Sequence, residues 1–113
     1  MEITQAVTAL SALGEANRLS IFRLLVAAGK EGLVVGQIAE QLTIANATLS
    51  FHLKTLQAAS MVRSAREGQF VRYFAEFDGM MTLIDYLTAH CCDGHPELCI
   101  PAAGRNAVTS GKG

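Results

Sequence analysis

Residues 35–59, VGQIAEQLTIANATLSFHLKTLQAA, contain two successive patterns of apolar side chains at helical spacing. The first pattern covers residues 35–42 and the second covers residues 46–59, with only Thr43-Ile44-Ala45 between them. Two short helices joined by about three or four residues are typical of the helix-turn-helix motif. The apolar side chains that we expect to point inward are Val35, Ile38, Ala39 and Leu42 in the first helix and Leu49, Leu53 and Leu56 in the second.

After this pair of helices the hydrophobic pattern changes to an alternating one. Residues 61–67 and 70–77 alternate closely enough to predict two strands. The turn between them, Glu67-Gly68-Gln69, contains a glycine that suits a hairpin. A two-stranded ribbon after a helix-turn-helix is the arrangement called a winged helix.

Further helices are predicted before and after this central region. Residues 3–13 and 15–28 predict two helices separated by a glycine, and Gly29 is placed to cap the second one. We expect Asp78 to be the N-cap of a last helix that extends to about His90. The apolar positions of these helices are Ile3, Val7, Leu10 and Leu13, then Leu19, Phe22, Leu25 and Val26, and finally Met80, Met81, Leu83, Ile84 and Leu87.

Together the elements predict a mostly α-helical fold with a small β-hairpin. Their order is helix, helix, helix, helix, strand, strand, helix, which is a winged helix-turn-helix, and we expect it to occupy residues 1–90. Residues 91–101 contain all three cysteines, and residues 102–113 lack periodicity and are predicted to be a disordered tail.

The composition is that of a small, apolar, single-domain protein. Half of the 113 residues are hydrophobic (50%), and the mean hydropathy is +0.30. A small domain has much surface to cover, so we expect a second subunit to cover part of this apolar surface. No apolar run approaches the roughly 18 residues that a membrane span needs. The N-terminus also lacks the pattern of a signal peptide. We therefore expect a cytoplasmic protein with no membrane partner.

The charge is distributed unevenly along the chain. Residues 1–45 carry a net charge of -1, residues 46–74 carry +3 and residues 75–113 carry -3. A basic central region is what contact with phosphates requires. The alternative explanation is an ordinary solvated surface on which basic residues cluster by chance.

Three segments resemble the ArsR/SmtB family of metal-sensing repressors over roughly residues 5–90. They are EANRLSIF at residues 15–22, TLSFHLKTL at residues 48–56 and the predicted wing at residues 62–73. The resemblance implies a homodimer built from the first and last helices. It also implies a repressor that binds an inverted-repeat operator in double-stranded DNA and is released by its inducer.

The chain departs from the two usual ligand sites of that family. Where the best-known arsenic repressors have a Cys-Val-Cys sequence, this chain has Val34-Val35-Gly36. The family's zinc site on the last helix needs spaced Asp and His ligands, but no histidine lies between Asp78 and Ala89. Ligands for an inducer must therefore come from another part of the chain.

Short polar side chains near the start of a recognition helix can reach base edges in the major groove. Lys54 lies further along this helix and is expected to contact phosphate, while arginine side chains of a wing favour a narrow minor groove. Phe51 is either an exposed contact in the groove or a packed edge residue, and His52 is expected to bond locally. For each polar residue the alternative is a solvated helix face. The candidate DNA-binding residues are Asn46, Thr48, Ser50, Phe51, Lys54, Arg66, Gln69 and Arg72.

The segment HCCDGHPELC, residues 90–99, is predicted to bind the inducer. Three sulfurs suit the pyramidal geometry of trivalent arsenic, and antimony(III) has similar chemistry. The candidate metal ligands are therefore Cys91, Cys92 and Cys99. Zinc or cadmium is an alternative because His90, His95 and Asp93 could complete a tetrahedral site. A thiol-redox or persulfide sensor is another alternative.

Two readings without a sensor were also weighed. The first is a thiol enzyme, but no Lys or Arg lies between Asp78 and Cys99 to activate a thiol, so we do not expect an enzyme. The second is a DNA-binding module with incidental cysteines. In it, Cys91 simply continues the apolar stripe of the last helix as a small buried side chain.

Overall fold

The computed structural model describes residues 1–89, and their arrangement confirms the winged helix-turn-helix. The predicted cysteine-containing segment, residues 91–101, and the predicted tail, residues 102–113, lie outside the described residues. The elements, in chain order, are α1 (Ile3–Leu13), α2 (Ala16–Ala28), a short 3-10 helix (Gly29–Glu31), β1 (Leu33–Val34), α3 (Val35–Leu42), α4 (Asn46–Ala58), β2 (Val62–Glu67), β3 (Phe70–Ala75) and α5 (Phe77–Thr88).

The chain divides into a first compact unit, Met1–Leu83, and a second one that begins at Ile84. The packing that is described below belongs to the first unit. Among residues 1–89, no helix has both the length and the apolar character needed to cross a membrane.

The sheet has three antiparallel strands in the order β1-β3-β2. The hairpin pairs Val62 with Ala75 at its base and Glu67 with Phe70 at its tip. Gly68 in the connecting turn has a φ of 62°, a conformation that glycine adopts without strain. Strand β1 is only two residues long, so the sequence pattern did not predict it, and the expected two-stranded ribbon is in fact a three-stranded sheet.

The core of the first unit forms between α2, α3, α4 and the base of the hairpin. Leu49, Leu53 and Leu56 of α4 are fully buried, as the sequence pattern predicts. On α2 the predicted face is partly wrong, because Ile21 is fully buried while Leu19 is exposed. The largest fully buried side chains of the described residues are Ile21, Leu25, Ile38, Leu49, Leu53, Leu56 and Met61.

Helix α1 buries small residues and exposes large ones. Its buried side chains are Ala6, Ala9 and Ala12. The apolar positions that the sequence pattern singled out lie on the opposite side, where 66% of Ile3, 54% of Val7 and 44% of Leu10 are exposed. The first unit therefore leaves an unpartnered apolar surface on α1.

The start of α5 differs from the prediction by a few residues. Asp78 is not the N-cap, because α5 already begins at Phe77 and the Met80 amide donates to the Glu76 carbonyl at 3.0 Å. Helix α5 ends at Thr88, short of the predicted His90. Gly29 does cap α2, and its φ of 64° explains why a glycine suits this position.

Candidate nucleic-acid interface

Helix α4 presents one side to the core and another side to solvent. Its leucines hold the inner side, so the rotation of the helix about its own axis is fixed by packing. Phe51 is 63% exposed, which resolves the alternative left by the sequence in favour of an exposed contact. Five of the predicted DNA-binding residues are exposed on this helix: Asn46, Thr48, Ser50, Phe51 and Lys54.

The turn before α4 brings the helix to its position with a strained residue. Thr43 has a φ of 54°, which is unusual for a β-branched side chain. Its conformation closes α3, and the Ile44 amide donates to the Ala39 carbonyl at 3.1 Å. The N-cap of α4 is Ala45, whose side chain cannot bond the first amides of the helix. Helix amides without such a partner can donate to a phosphate.

The hairpin β2–β3 forms the wing, and its tip carries polar and aromatic side chains. Arg66 and Gln69 are exposed as predicted for DNA contacts. Phe70, which sequence reasoning did not select, is also exposed, at 58%. Its position next to the hairpin turn was the signal that could have identified it. On the opposite side of β2, the Arg63 guanidinium lies 4.2 Å from the centre of the Phe74 ring.

Arg72 is the one predicted DNA-binding residue that the described residues already engage. Its Nε donates to Glu67 Oε2 at 2.9 Å, and its Nη1 donates to the Glu31 carbonyl at 3.1 Å. The side chain is only partly exposed. Arg72 therefore connects the wing to the 3-10 helix before β1, and Glu67 neutralises part of its charge.

A side-chain hydrogen bond links the wing to α4. Gln57 Nε2 donates to Ser64 Oγ at 3.2 Å. This bond, together with the packing between α4 and β2, fixes the base of the wing relative to the helix.

His52 is the buried polar residue of the described core, and the sequence correctly indicated that it bonds locally. Its Nδ1 lies 3.3 Å from Arg18 Nη1, and its Nε2 lies 3.9 Å from Glu15 Oε1. Sequence reasoning missed the role of Arg18, whose partners lie far away along the chain. The spacing of Glu15 and Arg18, one helical turn apart, was the available signal.

The described residues hold no group of three His, Cys, Asp or Glu side chains that could bind a metal ion. The candidate ligands Cys91, Cys92 and Cys99 lie outside the described residues, as do His90, Asp93 and His95.

Comparisons with known proteins place this geometry in a family. A helix-turn-helix domain family matches residues 13–65. The nodulation protein NolR of Rhizobium meliloti is 32% identical over 79 residues, which are 70% of this chain and 62% of that protein. The uncharacterised HTH-type transcriptional regulator YceK of Bacillus subtilis is 36% identical over 58 residues, 51% of this chain and 57% of that protein. The chain thus spans about three fifths of these two relatives.

Solved structures give the same answer over more of their length. NolR from Sinorhizobium fredii is 30% identical, with 75% of this chain and 82% of that chain covered and a TM-score of 0.61. Reduced HlyU from Vibrio cholerae is 28% identical, with 79% and 90% covered and a TM-score of 0.62. A homodimeric winged helix-turn-helix DNA-binding domain from Mycobacterium bovis, described as a possible ArsR-family transcriptional regulator, is 26% identical, with 79% and 87% covered and a TM-score of 0.64.

The chain belongs to the ArsR/SmtB family of winged-helix regulators. The proteins in these comparisons whose roles are named are regulators, in agreement with the expectation that the chain is not an enzyme. Within this ArsR/SmtB chain, Val34 ends β1 and Val35 and Gly36 begin α3. The position that carries thiols in the best-known arsenic repressors is thus the first turn of the helix-turn-helix, and here it holds none.

Proposed function

We propose that this ArsR/SmtB protein is a transcriptional repressor that binds an inverted-repeat operator as a homodimer. We propose further that trivalent arsenic, bound by Cys91, Cys92 and Cys99, releases it from the DNA. The observation that carries the DNA-binding part is the exposed side of α4, which is polar apart from Phe51 and is held in place by three buried leucines.

The chemistry of that side suits the major groove. An asparagine such as Asn46 can bond adenine through two hydrogen bonds, while Thr48 and Ser50 can contact bases or phosphates. Lys54 supplies a charge for phosphate, and Arg66 and Gln69 extend the contact from the wing into the minor groove. The net charge of +3 over residues 46–74 favours this approach electrostatically.

The exposed apolar surface of α1 supports the dimer. Side chains as apolar as Ile3, Val7 and Leu10 are unfavourable when they stay in contact with water, and a second copy of the chain can cover them. Helix α5 exposes Met81 in the first unit, and Ile84 and Leu87 are exposed in the second unit. A two-fold dimer presents its two recognition helices to two half-sites, which is why an inverted repeat is the expected operator.

Binding of arsenic would be an exchange of oxygen for sulfur. Three thiols and one arsenous acid give one tris-thiolate arsenic and three waters, so three As–O bonds break, three As–S bonds form and the thiol protons leave in the water. The local charge hardly changes, and release by charge repulsion is therefore not expected. We propose instead that tying Cys99 to Cys91 and Cys92 changes the geometry after the last helix and thereby the dimer.

Thermodynamic linkage makes this proposal testable. If arsenic weakens operator binding, the operator must weaken arsenic binding by the same factor. A coupling of about 1–3 kcal/mol is typical. Equal arsenite affinity of the protein with and without operator DNA would contradict it.

The first experiment is native mass spectrometry of the reduced protein with arsenite. We expect one arsenic per subunit and the loss of three hydrogens. The variant in which all three cysteines are replaced by serine should bind DNA as the wild type does and should no longer respond to arsenite. If the serine variant still responds, the three-cysteine site is wrong, whereas the repressor assignment stands as long as operator binding is observed.

A second candidate, a repressor that responds to thiol oxidation or persulfides, is favoured by one comparison. The solved HlyU to which this chain is similar is described in its reduced form. The same mass spectrum separates the two candidates, because oxidation gives a loss of two hydrogens without an arsenic adduct. A stable zinc or cadmium adduct would point instead to a site completed by His90, His95 or Asp93.

A further inference from the structure

We propose that Arg18 is a positioning residue that fixes the recognition helix α4 relative to the end of α1. This inference rests on the proposed function, because it concerns how the protein holds its DNA-reading surface. It assigns to a residue outside the DNA contact set a role in sequence-specific binding.

One end of the Arg18 guanidinium binds α1. Its Nε donates to the Ala12 carbonyl at 2.7 Å, and its Nη2 lies 3.5 Å from the Ser11 carbonyl. Carbonyls in the last turn of a helix lack partners within that helix, and a cation there also interacts favourably with the helix dipole. Arg18 therefore fixes the C-terminal end of α1, the helix whose outer surface we assign to the dimer.

The other end of the same guanidinium binds α4. Nη1 lies 3.3 Å from Nδ1 of His52, which is 7% exposed. An arginine can only donate, so Nδ1 must accept, and the proton of a neutral imidazole ring is then on Nε2. That nitrogen faces Glu15 Oε1 at 3.9 Å, and Glu15 in turn accepts from the Arg18 backbone amide at 2.9 Å. His52 is thus held between a donor and an acceptor that both belong to the start of α2.

His52 lies directly after Phe51 in the chain, and their rings meet edge to face with centroids 5.7 Å apart. The exposed ring that we assign to the groove therefore leans on the ring that Arg18 holds. Apolar packing of the leucines alone tolerates small rotations of a helix, whereas directional hydrogen bonds tolerate much less. Placement of base-reading side chains depends on such small rotations, because base contacts need hydrogen-bond geometry.

The planar fork of arginine is essential to this role. A lysine carries the same charge but a single nitrogen, which cannot donate to Ala12 and to His52 with the same geometry. Arg18→Lys therefore removes the link and keeps the charge. Arg23→Lys is the matched control, because Arg23 is exposed on the same helix and has no hydrogen bond or ion pair within the described part of the chain.

His52 offers a second matched pair of variants. In His52→Asn the amide oxygen can occupy the place of Nδ1 and still accept from Arg18. In His52→Gln the amide reaches the place of Nε2 and leaves the Nδ1 position empty. A role limited to filling space would favour the larger glutamine, whereas a positioning role favours asparagine.

The experiment uses the full chain and a duplex that the wild type selects from a random-sequence library. A scrambled duplex of the same composition measures non-specific binding, and thermal unfolding and sedimentation measure stability and dimerisation. We expect Arg18→Lys and His52→Gln each to bind the selected duplex about tenfold more weakly, within the range of coupling between contacting residues. The variants His52→Asn and Arg23→Lys should stay within about twofold of the wild type, and all four should bind the scrambled duplex within about twofold of it.

The double variant Arg18→Lys/His52→Gln should bind the selected duplex no more weakly than the poorer single variant. Additive losses, or equal losses on the selected and scrambled duplexes, would overturn the proposal. If Arg18→Lys fails to fold, the contrast between His52→Asn and His52→Gln carries the test, and equal binding by these two overturns it. A wild type that enriches no sequence from the library would overturn the proposed function itself, together with this inference.

Discussion

Phe51 shows how a single exposed side chain on α4 can be tested apart from the core. We expect Phe51→Ala to weaken operator binding by about 1–2 kcal/mol, the gain from burying part of an aromatic ring against DNA. Because the ring is 63% exposed, the free energy of unfolding should change by less than about 0.5 kcal/mol. Binding titrations and chemical denaturation measure the two quantities.

Phe22→Ala is the control for Phe51→Ala, since Phe22 is buried in α2. It should lower the free energy of unfolding by about 3–5 kcal/mol. Operator affinity that is unchanged in Phe51→Ala would mean that the exposed ring does not face DNA.

Two glycines predict opposite effects of the same substitution. A Cβ at Gly79 would collide with the Ser60 carbonyl oxygen, whereas a Cβ at Gly36 would meet open space. We expect Gly79→Ala to lower the free energy of unfolding by about 1–3 kcal/mol. Gly36→Ala should raise it by about 0.5–1 kcal/mol, because alanine has the better helix propensity. Equal effects of both, measured by chemical denaturation, would show that backbone approach at Gly79 is not limiting.

Single residues also show how far sequence reasoning reached. The leucines of α4 were predictable because a regular period identifies a buried face. Leu19 was placed wrongly because α2 offers apolar residues on more than one side, and only tertiary packing selects Ile21. Arg18 was missed because its partners lie 6 and 34 residues away, a distance that no local pattern reveals.

Secondary-structure elements were predicted well where they are long. Helices α3 and α4 begin at the predicted residues, while β1 has two residues and exists only because β3 lies beside it. Asp78 looked like a cap because aspartate is a good one, but the Glu76 carbonyl already accepts the first helical bond of α5. The proposed cysteine ligands stay a prediction from the sequence, since their segment lies outside residues 1–89.

The wing allows a prediction about charge. Glu67 binds the Arg72 guanidinium, and we expect Glu67→Gln to free that charge for a phosphate. Binding to a random-sequence duplex should strengthen, and the slope of log K against log salt should become steeper by about 1. Titrations at several salt concentrations measure this slope.

Arg66→Gln on the same strand should have the opposite effect. It removes an exposed charge from the wing, so the slope should become shallower by about 1. If Glu67→Gln and Arg66→Gln change the slope in the same direction, the wing does not contact phosphates as proposed.

For the assembled molecule, the prediction concerns the outer surface of α1. Val7→Glu places a charge where the proposed dimer buries an apolar side chain, and burying an unpaired charge is costly. We expect the dimer dissociation constant to rise at least about tenfold, while the monomer stays folded. Analytical ultracentrifugation and circular dichroism measure the two properties.

Ser20→Glu introduces the same charge at an exposed position of α2 and should leave the dimer unchanged. A Val7→Glu protein that dimerises as the wild type does would exclude α1 from the interface.

The two sides of α1 have a consequence for how such repressors can diverge. The inner side consists of alanines, which fit the rest of the first unit closely, and the outer side carries the side chains assigned to the partner. Changes on the outer side leave the interior undisturbed. After duplication, two copies of this chain could therefore acquire different outer side chains and stop pairing with each other, while each keeps its own fold and its own target sequence.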